Sequence, residues 1–474
     1  FIPVYSELLH QGRRKEAGQV AGAIFALLFA AAGALALVGI ALAPVIVTVF
    51  MPGLEQQRYE LTVAVTRIVF PMAGILVLSA WALGILNSHR NFFLPYFAPV
   101  LWNAAMIATL LAFGRGMEPA QLVVALAWGA LAGGVLQFAV QLPTVLRLER
   151  DLKIGWGRGV AGVREAVRNA GPAVVGRGVV QISGYLDYFF ASFLAAGAIA
   201  TLSFAQLFYM LPISLFGMSV AAAELPELSR QRESGAEVLR ARASAGLERV
   251  AFYVVPSFVA FALLGDVVVA TLLQSGEFDR SDTLVVYLTL LAFSIGLLAT
   301  TASRMLSTTF FALRDTRTPA RYAIVRVALS AALAVLLMTQ FEAIRVERLG
   351  LNVPGGVLSH LRIGGKPLGV VGLALGTGIA AWVEWALLKR ALRGRIGAVG
   401  AGAGPLSRMF MAALAGAAAG WGMRLLLPDG MNPLLGGALV LGVYGALYFA
   451  VAGALGLSQA GALLRRIKGR FGRR

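Results

Sequence analysis

The chain has 474 residues, 58 % of them apolar and only 14 % charged, with a formal net charge of +18. A soluble domain of this size carries far more surface charge, and the absence of cysteine excludes disulfides, thiol catalysis and zinc–thiolate sites. Apolar runs of roughly 20 residues recur along the whole length, enough to cross the hydrocarbon core of a bilayer, while no period-two alternation supports a β-barrel.

The pattern therefore predicts an all-α polytopic membrane protein. Twelve spans are expected, at 17–50, 61–87, 95–113, 119–146, 172–195, 199–224, 248–274, 283–312, 319–341, 369–392, 406–427 and 433–456. One alternate set of loops, with the tail 465–474, holds 30 of the 41 Lys and Arg residues. The opposite set holds 7, four of them in the long loop 342–368. Such asymmetry places the basic loops and the C-terminus in the cytoplasm. It also accounts for the positive charge without nucleic acid. His10, His89 and His360 lie far apart in loops, so no histidine metal site is expected, and no cofactor is called for.

Composition divides the chain into a lobe at 1–146, a basic connector at 147–170, a second lobe at 171–392, a small-residue linker at 393–405, a helix pair at 406–456 and a basic tail at 457–474. The connector suits an interfacial helix or an ordinary positive loop. GAVGAGAGP (397–405) lacks the Lys and following Ser/Thr of a phosphate loop.

An internal repeat runs through the two lobes. Pro3 matches Pro226 at an offset of 223, Gly53 matches Gly276 at 223, and Pro95 matches Pro319 at 224. Repeats of this kind form two helical lobes around a midplane site. Loop charge makes the repeat parallel. The second lobe has two spans, 172–224, before its proline landmark; shifted back, they fall before residue 1. The opening FIPVY is thus expected to be the end of a helix, and the natural protein to have about fourteen helices.

Several stretches resemble the MurJ/MviN lipid II flippases of the multidrug/oligosaccharidyl-lipid/polysaccharide exporter superfamily. They are FIPVYSELL (1–9), RIVFPMAGILVLSAWALGILNSHRNFFLPYFAPVLWN (67–103), GPAVVGRGVVQISGYLDYFFASFLAAGAIATLSFAQ (171–206), LPISLFGMSVAAAELPELS (211–229) and FFALRDTRTP (310–319). The resemblance implies two six-helix lobes around a central cavity plus a final helix pair. It implies a transporter in the bacterial inner membrane, not an enzyme, that flips lipid II outward by alternating access. Sodium or the membrane potential would drive it, and its partners would be lipid II and membrane lipids. It would act as a monomer or beside cell-wall synthesis machinery. The family's Asp-Arg pair on the eighth helix aligns with Gln206-Leu207, so the expected cation is missing there. Another lipid-linked oligosaccharide, a cationic drug or a non-transporting scaffold role are the alternatives.

Ionisable residues at membrane depth are functional candidates. Arg67, Arg177 and Arg304, with Gln206, are the candidate substrate contacts; snorkelling is the other reading of the arginines. Arg67 and Arg304 are expected in corresponding regions of the two lobes. Through the resemblance, Asp187 and Thr377 are candidate ion ligands, and a structural Asp187–Arg pair is the alternative. Pro3, Glu7, Pro226, Asp315, Arg317 and Pro319 are read as gate or loop residues, with Asp315 capping the helix that follows. Glu384 is expected to pair with Lys389 or Arg390. Pro71, Pro172, Pro212 and Pro256 are expected to bend their helices.

Overall fold

The computed structural model describes residues 1–157, 160, 162–164, 167–168, 184–231, 235–346, 350–428 and 430–461. It divides into two units, Phe1–Tyr185 and Leu186–Arg474.

In the first unit, α1 (Ile2–His10), α2 (Arg14–Ala41), α3 (Ala43–Phe50), α4 (Gln56–Ser88), α5 (Phe93–Phe113) and α6 (Pro119–Leu148) follow one another. A helical segment at 184–191, α7, spans the join. The second unit continues with α8 (Ala198–Pro212), a π-helical turn (Ile213–Met218) and α9 (Ser219–Arg230). It goes on through α10 (Ala236–Leu263), α11 (Gly265–Leu273), α12 (Arg280–Ile295), α13 (Leu297–Ala312), α14 (Arg317–Phe341), α15 (Gly369–Ile396), α16 (Ala403–Leu426) and α17 (Pro433–Ala454).

Among the described residues, ten helices are long and apolar enough to cross a bilayer, or eleven if α12 and α13, bent by 41°, form one span. At 1.5 Å per residue they measure about 30 to 50 Å, against a hydrocarbon thickness of about 30 Å. Eleven of the twelve predicted spans coincide with a helix or a broken helix pair. Half of the twelfth, 172–195, lies outside the described residues. The charged stretch 236–247, read from sequence as loop, is the first three turns of α10. Charged residues form helix readily, so the apolar run marks the membrane crossing and not the helix end.

The repeat holds element by element. Offset by 223 or so, α2, α3, α4 and α5 superimpose in sequence on α10, α11, α12–α13 and α14. Both long helices break at the same place, Leu42 and Leu264, each outside helical geometry. The turn after α4 and the turn after α13 carry the same signature. Arg90 and Arg314, 224 residues apart, are the two non-glycine residues with positive φ among the described residues, at 58° and 60°. In each turn the next amide reaches back five residues, Asn91 to Leu86 and Asp315 to Phe310. That is the Schellman closure of a helix end, usually made with glycine. The repeat diverges at 342–368, which carries two antiparallel ribbons that the sequence pattern did not predict: β1 (Ile344–Val346) with β2 (Leu351–Val353), and β3 (Arg362–Ile363) with β4 (Lys366–Pro367).

Small residues set the closest helix approach in the second unit. Gly372 and Gly376, one turn apart on α15, lie against α14; a Cβ at Gly376 would come within 2.8 Å of the Ala334 nitrogen. Spacing of this kind lets membrane helices meet backbone to backbone.

Breaks and prolines leave carbonyls without their helical donors, and hydrocarbon supplies no water to replace them. Aromatic side chains do so here. Pro256 has no N–H for the carbonyl of Phe252. Tyr448 from α17 donates its hydroxyl to that oxygen at 2.5 Å. At the Leu264 break, Tyr287 donates to the carbonyl of Ala262 at 2.9 Å and Trp421 to that of Leu263 at 3.0 Å. At the α12–α13 bend, Trp382 donates to the Ile295 carbonyl at 2.7 Å. The Tyr448 and Trp421 bonds anchor α17 and α16 to α10, alongside an apolar core of Phe252, Leu264, Met409, Ala413, Val440 and Tyr444. Tyr448→Phe keeps the ring but orphans a buried carbonyl. It is expected to cost about 1–3 kcal/mol, seen as a lower thermal unfolding midpoint in detergent with no change in helix content.

Candidate functional site

The second unit gathers polar side chains from four elements. α7 supplies Asp187 and Tyr188, and α8 supplies Gln206. On α14, Arg326 and Ser330 are four residues apart and share a face; on α15, Thr377 and Glu384 are seven apart and share another. The two helices pack as neighbours, so Ser330 meets Thr377 (3.0 Å between hydroxyl oxygens) and Arg326 meets Glu384 (3.0 Å). Thr377 donates to one Asp187 oxygen at 3.3 Å, and the Gln206 amide donates to the other at 3.3 Å. Tyr188 donates to the Gln206 carbonyl oxygen at 3.0 Å, holding that amide in orientation.

The structure thus brings Asp187 and Thr377 together, and places Gln206, read from sequence as a substrate contact, in the same cluster. Asp187 makes no ion pair among the described residues; its hydrogen-bond partners are neutral. Glu384 pairs with Arg326 rather than with Lys389 or Arg390. Those lie five and six residues along α15, off the glutamate's face, and Lys389 stacks on Trp385 at 4.6 Å. One carboxylate with two hydroxyl oxygens beside it is a donor set that fits a hard monovalent cation. A divalent site built on three or more acidic or histidine ligands is absent among the described residues.

Arg304, on α13, is exposed and makes no ion pair among the described residues. Arg67 is also exposed, but the two are not counterparts. Arg67 lies 21 residues before the end of α4 and Arg304 eight before the end of α13, and the sequence offset of 237 between them is not that of the repeat. Arg177 lies outside the described residues.

The gate and loop candidates fall in two further places. Glu224, 1 % exposed on α9, is clamped by Arg242 at 2.7 Å and by Arg249, both from α10. Pro226, two residues further along α9, is exposed. Glu7 accepts only from Gln11, on the surface of α1, whose first turn contains Pro3. In the first unit the buried ionisable group is instead Glu149, which accepts from the Tyr5 hydroxyl; His89 Nε2 lies 3.0 Å from that hydroxyl. The sequence reading missed this trio because its members sit 84 and 144 residues from each other along the chain.

Asp315, expected to cap α14, lies one residue before the N-cap position, Thr316. It accepts from the Arg317 and Thr318 amides at 3.0 Å each and from the Thr318 hydroxyl at 2.7 Å. It also pairs with Arg395 at 2.6 Å, fastening this turn to α15. Arg317 is exposed, and Pro319 is buried in the first turn. The Thr318 bonds, helped by the Arg395 charge, hold the Asp315 carboxyl below its ordinary value of 3.8. A lowered pKa means stability present in full above that value and lost as pH falls further. Asp315→Ala is expected to cost about 1 kcal/mol at neutral pH. In thermal unfolding, its difference from wild type should shrink as the pH falls below 3.8.

The chain is similar to known proteins over most of its length. A Burkholderia cenocepacia protein, "Lipid II flippase MurJ", is 31 % identical over 349 residues, covering 72 % of this chain and 66 % of its own length. A Rhizobium tropici protein, "Probable lipid II flippase MurJ", is 31 % identical over 342 residues, covering 71 % and 64 %. The chain thus spans just under two thirds of the length of these curated relatives. Among solved structures, "Lipid II flippase MurJ, inward closed conformation" has a TM-score of 0.70 at 19 % identity, covering 96 % of this chain and 90 % of that one. An inward-facing multidrug resistance MATE transporter has a TM-score of 0.65 at 17 % identity, covering 83 % and 84 %. Both share the fold. The family model described as "Lipid II flippase MurJ" matches residues 1–346, and on that match the chain belongs to the MurJ family.

Proposed function

We propose that this protein moves lipid II, a peptidoglycan precursor on a polyprenyl diphosphate carrier, from the inner to the outer leaflet of the bacterial inner membrane by alternating access. The observation that carries this reading is family membership across both repeated helical units, residues 1–346. A hydrated dianionic headgroup cannot cross hydrocarbon unaided, and guanidinium groups suit a diphosphate through paired hydrogen bonds. Arg304 and Arg67 are the proposed headgroup contacts on the described helices. Asp187, Thr377 and Ser330 are the proposed cation ligands, with the Gln206 amide holding the Asp187 carboxylate, and the gradient of that ion would supply the driving force. The protein makes and breaks no covalent bond, so it is a transporter and not an enzyme. The basic loops and the C-terminus face the cytoplasm, and the chain works as a monomer or beside the cell-wall synthesis machinery.

A second reading, transport of another lipid-linked oligosaccharide, is favoured by one observation. Leu207, where the resemblance to the family implies an arginine, is 57 % exposed. Expression in a bacterium depleted of its own lipid II flippase separates the two. Restored growth, with lipid II accessible in the outer leaflet, is the expected result. Failure with the protein present in the membrane at normal levels would sink the lipid II reading.

A further inference from the structure

The two units join equivalent helices differently. The turn between α5 and α6, 114–118, has one apolar side chain, Met117. The segment between α14 and α15, 342–368, contains a tight turn at 354–361, PGGVLSHL, that is bonded to the end of α14. Gly356 donates its amide to the Thr339 carbonyl at 2.8 Å and Leu358 to that of Gln340 at 3.0 Å. The turn thus takes up two of the carbonyls that a helix end leaves free. It also closes on itself, Ser359 to Gly356 at 3.1 Å and Leu361 to Leu358 at 3.0 Å. Gly356 approaches α14 so closely that a Cβ there would come within 2.9 Å of the Gln340 Cα. The turn is therefore fixed in place, yet it shows three apolar side chains to the outside. Val357 is 80 % exposed, Leu361 41 % and Leu358 36 %.

Their position relative to the bilayer follows from α14. Ile324 and Val335, and likewise Val325 and Leu336, lie three turns apart on this span and are exposed, so they form its lipid-facing stripe. Arg321, also exposed, marks one border of the hydrocarbon. Phe341, twenty residues on, is about 30 Å away, at the other border. The turn is bonded to Thr339 and Gln340 and so stands at that second border, continuing the stripe outward. His360 and Arg362 are exposed beside it, side chains that suit the level of lipid headgroups. Three apolar side chains are too few for a stable protein interface, which buries about 1,200–2,000 Å². We propose that the turn 354–361 is an interfacial foot, with Val357, Leu358 and Leu361 inserted among the headgroups and upper acyl chains of the leaflet at the Phe341 end of α14. Rigid with α14 through its backbone bonds, the foot sets the height of α14 and its neighbour α15 in the bilayer.

The chain has no cysteine, so single cysteines can carry a nitroxide label at chosen sites. The test uses the labelled full chain in phosphatidylcholine vesicles. Electron paramagnetic resonance compares each label's collisions with oxygen, which concentrates in lipid, and with a water-soluble nickel chelate. Leu336→Cys gives the reference for lipid, and Asn352→Cys, exposed on β2, the reference for water. Val357→Cys is expected to show an oxygen-to-nickel ratio several-fold above that of Asn352→Cys and approaching that of Leu336→Cys. A ratio equal to that of Asn352→Cys overturns the proposal. So does protection from both reagents, which would mean a protein contact, such as a second copy of this chain, in place of lipid. Leu361→Cys gives the same comparison should the label at 357 displace the turn.

Discussion

Hydrocarbon offers no hydrogen bonds, and that constraint shapes the rest of the structure. A straight helix satisfies its own backbone, but these helices are not all straight. Leu264, Gly296 and Pro256 each interrupt the ladder. At each interruption a tyrosine or tryptophan from another helix donates to the exposed carbonyl. Such residues combine an apolar ring with one donor, which lets them sit in a membrane core and still pair a polar atom. The interruptions thereby become attachment points, and the final helix pair is held to α10 through two of them.

Duplication supplies the second organising fact. Two units with the same helix order close the same turns in the same way, with arginine in the left-handed position at 90 and 314. Glycine would be less strained there. Arginine keeps a fixed charge at the end of a span, where basic residues also set orientation. The units then diverge in their buried charges. One centres on Glu149 with Tyr5 and His89, the other on Glu224 with two arginines. Equivalent frameworks thus carry different electrostatics.

The polar cluster around Asp187 is the part of the second unit that packing alone does not explain. Close α14–α15 approach at Gly372 and Gly376 brings two ladders of polar side chains into register. A Cβ at either glycine would push the ladders apart. Close packing of small residues and the chemistry of the site are in this respect one feature.

Much was legible in the sequence because the signals were local. Apolar runs marked the spans, loop charge marked a two-sided arrangement, and three landmarks at a common offset revealed the duplication. Asp315 beside the start of α14 followed from its position before Pro319. Pairings across helices were not legible. Glu384 chose Arg326, 58 residues away, over its own neighbours, and Gln206 joined Asp187 and not the arginines. Helix rotation and crossing decide which faces meet, and these depend on side-chain packing over the whole unit. The sequence by itself determined which segments enter the membrane and that they come in two related sets. Only the tertiary structure decided which charges share a site, because charge pairing acts through space and not along the chain.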